Sequence, residues 1–197
     1  MAHRRRRKSR AGAVSRTERP EKVQQPVPAG VTSGGWTLLA HPLFLSQLER
    51  LTDRATREAA SRQGTEGPAT KLLGHILDLV FEKIPQDPGG STYRHGGALG
   101  GGHKQWFRAK TGNGRFRLFF RFHSTHKIIV YAWLNDDQSL RTRGARTDAY
   151  GVFARMLNAG NPPDDWEKLV AAASAAGNTA RLRRARERQS ARKGKGI

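Results

Sequence analysis

Arg115-Phe116-Arg117-Leu118-Phe119-Phe120-Arg121-Phe122 is the stretch that decides how this chain folds. In an extended strand, successive side chains point to opposite faces. Phe116, Leu118, Phe120 and Phe122 then line one face, suited to a core. Arg115, Arg117, Phe119 and Arg121 line the other, which presents three guanidinium groups to something negative. Around this strand, between Asp87 and Asp136, run 48 residues without a carboxylate, carrying eight Lys/Arg and four of the seven histidines. A solvated sheet face usually mixes both signs of charge. The stretch therefore predicts a phosphate-facing sheet.

The flanking segments supply its neighbours. His103 to Lys110 and Lys127 to Leu134 read as strands, and Thr111-Gly112-Asn113-Gly114 as a hairpin turn. In an antiparallel meander Lys104, Trp106, Arg108 and Lys110 share one face. The turn brings Arg108 and Lys110 beside Arg115 and Arg117. Like charges packed together are unfavourable unless an anion relieves them. Upstream, Trp36 to Ala40 is apolar enough for a short strand. Pro42 opens a helix whose Phe44, Leu48, Leu51 and Ala55 recur at helical spacing. A second helix runs from about Ala69 to Lys83 and is stopped by Pro85 and Pro88. The glycines of 96–102 follow no strand and precede no helix, so they form a connection rather than a nucleotide-binding loop. After a polar loop over 135–146, a third helix starts at Thr147 as N-cap and ends at Gly160. Asp164 with Glu167 marks a capping box for a fourth, through Ala173.

The chain has 197 residues and a formal net charge of +20. Residues 1–33 hold nine Lys/Arg against two acids, and residues 174–197 hold eight against one. Both ends are expected to be disordered basic tails, flanking one domain over 34–173. Such a surplus favours a polyanionic partner through counterion release. No window of 18 apolar residues exists, so no membrane-spanning helix and no membrane partner are expected. The arginine run between His3 and Lys8 precedes no apolar segment, unlike a secretory signal. With no cysteine, disulfides and thiolate chemistry are excluded, and a cytoplasmic setting is expected.

Cleaving RNA without a metal uses the substrate's own 2′-hydroxyl as nucleophile. Something must accept its proton, something must stabilise the phosphorane, and something must protonate the leaving oxygen. Arginine supplies the second function. A lysine crowded by other cations suits proton transfer, because like charges favour the neutral amine. Tyr150, near the start of the third helix, is placed to contact a base or donate a proton. His95, His103, His123 and His126 lie in or near the basic region and are the usual residue type for proton transfer, although each alone is more often a surface or turn residue. The nearest acids, Asp136 and Asp137, point oppositely on a strand, and the histidines lack ligand spacing with acids. No metal and no cofactor are expected.

The runs ATKLL at 69–73, RHG at 94–96, RFRLFFRF at 115–122, AWLND at 132–136, LRT at 140–142, TDAY at 147–150, VF at 152–153 and PPDDWE at 162–167 resemble the YhaV toxins of type II toxin–antitoxin pairs, within the RelE superfamily. The similarity spans about 34–170 and neither tail. It implies a small α+β, RelE-like toxin fold, an antiparallel sheet with helices packed on one side. It also implies a ribosome-dependent endoribonuclease that cuts translated mRNA without metal, a cognate PrlF-like antitoxin, and operator DNA contacted only through the antitoxin complex. In RelE-like toxins two basic residues precede the glycine-containing turn, and these match Arg108 and Lys110. The arginine after the turn matches Arg117, with RFRL at 115–118 replacing the family's G-Y-R-L. A later arginine matches Arg141 or Arg143, and a tyrosine matches Tyr150. Arg108 stands where the superfamily often has lysine, and guanidinium hardly deprotonates, so Lys110 is the better proton-transfer candidate. Lys104, Arg115 and Arg121, with Arg94 and His95 from the RHG match, are the candidates for holding RNA. Two alternatives share the fold: a non-catalytic RNA- or ribosome-binding protein, and a gyrase poison like the ParE relatives.

Overall fold

The arginine strand, β4 (Phe116–His123), lies between β3 (Phe107–Thr111) and β5 (Ile128–Leu134) in a computed structural model that describes residues 29–61, 66–140, 142 and 145–194. Both pairings are antiparallel, as the meander requires. The hairpin turn places Gly112, Asn113 and Gly114 at positive φ, where glycine and asparagine are least strained. Its register sets Lys110 directly opposite Arg117. Beyond the meander the sheet is mixed: β2 (Trp36–Ala40) joins β5 in parallel, and β1 (Val31–Ser33) pairs antiparallel with β2. The class is α+β.

The helices cover both faces of the sheet rather than one. Phe116, Leu118 and Phe120 meet α1 (Pro42–Ser61), α2 (Pro68–Asp78) and α6 (Ala176–Gly194) through Phe44, Leu48, Leu51, Ile76, Leu77 and Leu182. Phe119, Val130 and Ala132 meet α4 (Ala149–Asn158) and α5 (Trp166–Ala173) through Phe153, Leu157, Leu169 and Ala173. A bulge between β4 and β5 lets the consecutive Ala132 and Trp133 join this second core. The supposed outer face of the arginine strand is thus largely roofed.

The two ends depart from the expected tails where the structure describes them. Residues 1–28 lie outside the described residues, but Val31–Ser33 forms β1 and buries Val31, so the ordered domain starts before Gly34. Gly34 and Gly35, both at positive φ, make the two-residue turn of a hairpin. At the other end, 176–194 is helical. Asn178, Leu182, Ala185 and Gln189 recur at three- and four-residue spacing and are buried, while Arg181 bonds Glu49, Arg192 pairs with Asp78 and Lys193 pairs with Glu82. With so few apolar residues this face does not stand out in the sequence.

The second helix continues from α2 through a π-helical turn, Leu79–Lys83, into α3 (Ile84–Gln86), so Pro85 lies inside the helix rather than stopping it, and the end comes at Asp87, just before Pro88. The wider turn leaves carbonyls needing donors. The Tyr131 hydroxyl donates to the Val80 carbonyl at 2.5 Å, and Ser33 Oγ donates to that of Phe81 at 2.5 Å. Two N-caps fall one residue later than the sequence indicates. Asp148, not Thr147, accepts from the Tyr150 amide at 3.2 Å, and Asp165, not Asp164, accepts from Lys168 at 2.9 Å.

His41 links β2 to α1 and gives the fold a pH dependence. Its amide donates to Tyr131 O at 2.9 Å, and its Nδ1 accepts from the Leu43 amide at 3.3 Å, capping α1. Only 4% of the residue is exposed, and burial lowers its pKa from 6.5 to about 4. The unfolded chain therefore binds a proton that the folded chain refuses between those values. Stability contributed by neutral His41 is complete above pH 6.5 and declines as pH falls toward 4, by up to about 3 kcal/mol. Urea unfolding from pH 7 to 4 should show this loss. His41→Asn, which keeps a capping acceptor without titrating, should flatten that limb.

Candidate active site

The basic side chains of β3 and β4 converge on one hydroxyl. Arg108 Nε donates to Tyr150 Oη at 2.9 Å and Arg117 Nε donates to the same oxygen at 3.4 Å. The remaining bonds fix each guanidinium. Arg108 Nη1 donates to Thr92 O at 2.6 Å, whereas Arg117 Nη1 donates to Gly114 O at 2.6 Å and Phe116 O at 2.9 Å. These acceptors are all neutral oxygens. Among the described residues, neither arginine nor Lys110 lies within ion-pair distance of a carboxylate. Arg108 and Arg117 are only 8% and 5% exposed, while Lys110 opposite Arg117 stands exposed.

Local sequence explains this placement. Tyr150 lies in the first turn of α4, fixed by the Asp148 cap, and its ring meets Phe119 edge-on at 5.7 Å. Phe119 also stacks on Phe153 at 4.2 Å, so the aromatic core holds the tyrosine over the strands. Asn135, 1% exposed, accepts from the Arg117 amide through Oδ1 and donates through Nδ2 to Ser139 O at 2.8 Å and Arg115 O at 3.3 Å. It ties the loop after β5 to the start of β4. The sequence reading gave Asn135 and the Thr92 carbonyl no role. The N-D pair in AWLND was the available signal for the first, and nothing marked the second.

The other sequence candidates divide. Arg115 is exposed on the hairpin beside this cluster. Lys104 is also exposed, but in the turn after Gly101–His103 rather than on β3, which starts only at Phe107. Arg121 is half-buried, more exposed than Arg108 or Arg117, but stands apart from their cluster. It sits between Trp106 and Trp166, its guanidinium carbon 5.5 and 5.4 Å from the ring centroids, and Nη1 donates to Asp164 O at 2.5 Å. Burial lowers its pKa, against the opposing charges of Asp164 and Asp165. Its place on the roofed part of the face makes it a packing residue. Asp164 anchors the same corner, accepting from Trp106 Nε1 at 2.6 Å and Gln105 Nε2 at 2.8 Å.

Arg94 lies over the Phe107 ring at 4.6 Å. His95 Nε2 bonds the His103 carbonyl at 3.2 Å, which fixes the proton on Nε2 and leaves Nδ1 a buried acceptor with no partner among the described residues. Burial lowers the His95 pKa; its bond to the His103 carbonyl opposes this, while the charges of Arg108, His103 and Arg94 reinforce it. Arg141 and Arg143 lie outside the described residues. Among the described residues no three His, Cys, Asp or Glu side chains gather as metal ligands, and no helix is long and apolar enough to cross a membrane.

A family model described as a toxin with endonuclease activity, of a toxin–antitoxin system, matches residues 38–174. Toxin YhaV of Escherichia coli O6:H1 is 44% identical over 141 residues, covering 69% of this chain and 90% of its own length. Ribonuclease toxin YhaV of Escherichia coli K12 is 42% identical over 143 residues, with the same two coverages. No solved structure matches the chain. The residues that build the arginine–tyrosine cluster all fall inside the matched span, and the chain belongs to the YhaV toxin family.

Proposed function

We propose that this toxin is an endoribonuclease that cuts translated mRNA on the ribosome by attack of the substrate's 2′-hydroxyl on the adjacent phosphate. Family membership supplies the endonuclease activity and the antitoxin partner, and one relative carries the name ribonuclease toxin. The observation that carries the chemistry is the pair of guanidinium groups held on Tyr150 Oη with Lys110 directly across from Arg117. Each guanidinium spends Nε and Nη1 on the protein. Among the described residues neither Nη2 donates to a protein acceptor. Donors fixed before substrate arrives need no reorganisation when phosphorane charge develops.

In this scheme the 2′-oxygen forms a bond to phosphorus and the bond from phosphorus to the 5′-oxygen breaks. Arg117, with Arg108, stabilises the dianionic phosphorane. Lys110, exposed beside them, takes part in proton transfer, and Tyr150 positions both arginines. Arg115 on the hairpin, with Arg141, Arg143, Lys104 and Arg94, holds the RNA backbone. A PrlF-like antitoxin silences the enzyme and carries the pair to operator DNA.

The test compares naked mRNA with mRNA on translating ribosomes and analyses the fragment ends. Fragments with 2′,3′-cyclic phosphate and 5′-hydroxyl ends, formed only with translation, are expected. Ends bearing 3′-hydroxyl would show that water rather than the 2′-hydroxyl attacks. Equal cutting of naked RNA would remove the ribosome from the scheme.

A further inference from the structure

Helix α6 begins at Ala176, beyond the last residue matched by the family model. Its charges divide into two sets. Arg181, Arg192 and Lys193 meet carboxylates of α1, α2 and the π-helical turn, and Arg186 lies over Phe81 at 5.2 Å. These four attach the helix to the domain. Arg183, Arg184 and Arg188 are exposed and, among the described residues, make no hydrogen bond or ion pair. Arg184 and Arg188 are four residues apart, a like-charge spacing that costs a helix roughly 0.2–0.5 kcal/mol. Their neighbours do not neutralise them fully. Asp53 and Glu49 of α1 line a small cleft with Arg184 and Arg188; Glu49 is held by Arg181 and also feels the charge of Arg184, and Glu187 stands four residues after Arg183 and three after Arg184.

We infer that Arg183, Arg184 and Arg188 form a second, non-catalytic surface that grips the phosphate backbone of structured RNA. Arginine's weakly hydrated fork suits phosphate oxygens, and the three lie within about one and a half helical turns, a rise of roughly 8 Å. Helix α6 packs on the Leu118 and Phe120 face of the sheet, whereas the arginine–tyrosine cluster is on the Phe119 face. RNA held on α6 is therefore a different part of the target from the strand being cut. The surface contributes affinity for a large RNA and nothing to the chemical step.

The experiment measures binding of the full chain to a 2′-O-methylated RNA hairpin, which 2′-hydroxyl attack cannot open, as a function of salt. Arg183→Gln/Arg184→Gln/Arg188→Gln is compared with wild type and with the triple lysine variant. All three substituted side chains are exposed, and a thermal melt checks the fold. The glutamine variant should lower the slope of log K against log salt by about 2, since each phosphate contact contributes about 0.7–0.9. The lysine variant should keep the slope, and at saturating translating ribosomes both variants should cut mRNA at the wild-type rate. An unchanged slope in the glutamine variant overturns the proposal. So does loss of antitoxin binding with RNA binding intact, which would assign the surface to an acidic protein. Because binding is read without cleavage, its failure is separate from any failure of the proposed chemistry.

Discussion

Arg117→Ala should reduce RNA cleavage by about 100- to 1,000-fold, the usual cost of removing one preorganised donor from a developing oxyanion. Expressed without antitoxin, the variant should no longer arrest growth. Arg117 is nearly buried and its Nη1 serves the Gly114 and Phe116 carbonyls, so the alanine variant also loses about 1–3 kcal/mol of stability. That loss does not explain inactivity if the protein still melts cooperatively above the assay temperature. Arg117→Lys separates charge from geometry. Lysine keeps the positive charge but cannot hold Tyr150 Oη and two carbonyls while presenting a further donor. It should bind RNA nearly as well as wild type and turn over far more slowly. Single-turnover rates at saturating RNA, with a parallel melt, check both. A wild-type rate in folded Arg117→Ala would exclude this guanidinium from the reaction.

The parts of the fold legible in the sequence are those written in local periodicity. The alternation of 115–122, the Thr111–Gly114 turn and the apolar run before Leu134 lead to the β3–β4–β5 meander and to Lys110 opposite Arg117. Arg108, Arg117 and Tyr150, which the family resemblance singles out separately, come together in the fold. What local pattern cannot show is which face a distant segment will cover. Arg121 has the same alternation as Arg117, yet Trp166, 45 residues later, closes over it. The same strand therefore carries one arginine buried against Tyr150 and one half-buried between indoles. Helix α6 escaped notice for the opposite reason. Its few apolar positions, Leu182 and Ala185, are supplemented by polar Asn178 and Gln189 that pack only because partners such as the Ala172 carbonyl and Glu82 await them. Asn135 is similar, since its value lies in three backbone groups that the folded loop brings within reach.

Phe119→Ala should be the most damaging substitution away from the charged residues. The ring is fully buried, stacks on Phe153 at 4.2 Å and on Trp133 at 5.7 Å, and meets Tyr150 edge-on. Truncation removes the central member of this aromatic group, and a cavity surrounded by large rings closes poorly. The expected loss is about 3–5 kcal/mol, a large share of the roughly 5–15 kcal/mol by which a domain is stable. For a chain of this length that lowers the melting temperature by roughly 6–20 °C. The effect should extend to catalysis, because Phe119 supports the tyrosine that holds both guanidinium groups. A displacement of about 1 Å at a reacting centre can cost around 100-fold in rate, so the cleavage rate should fall even at temperatures where the variant stays folded. Phe122→Ala is the matched control. Phe122 is half-buried on the opposite face of the same strand, against Trp36 and Phe107, and its loss should lower stability less and leave the folded protein's rate unchanged. If the two variants lost rate in proportion to stability alone, the aromatic group would be a core like any other. A rate deficit confined to Phe119→Ala would show that the second core exists to aim Tyr150.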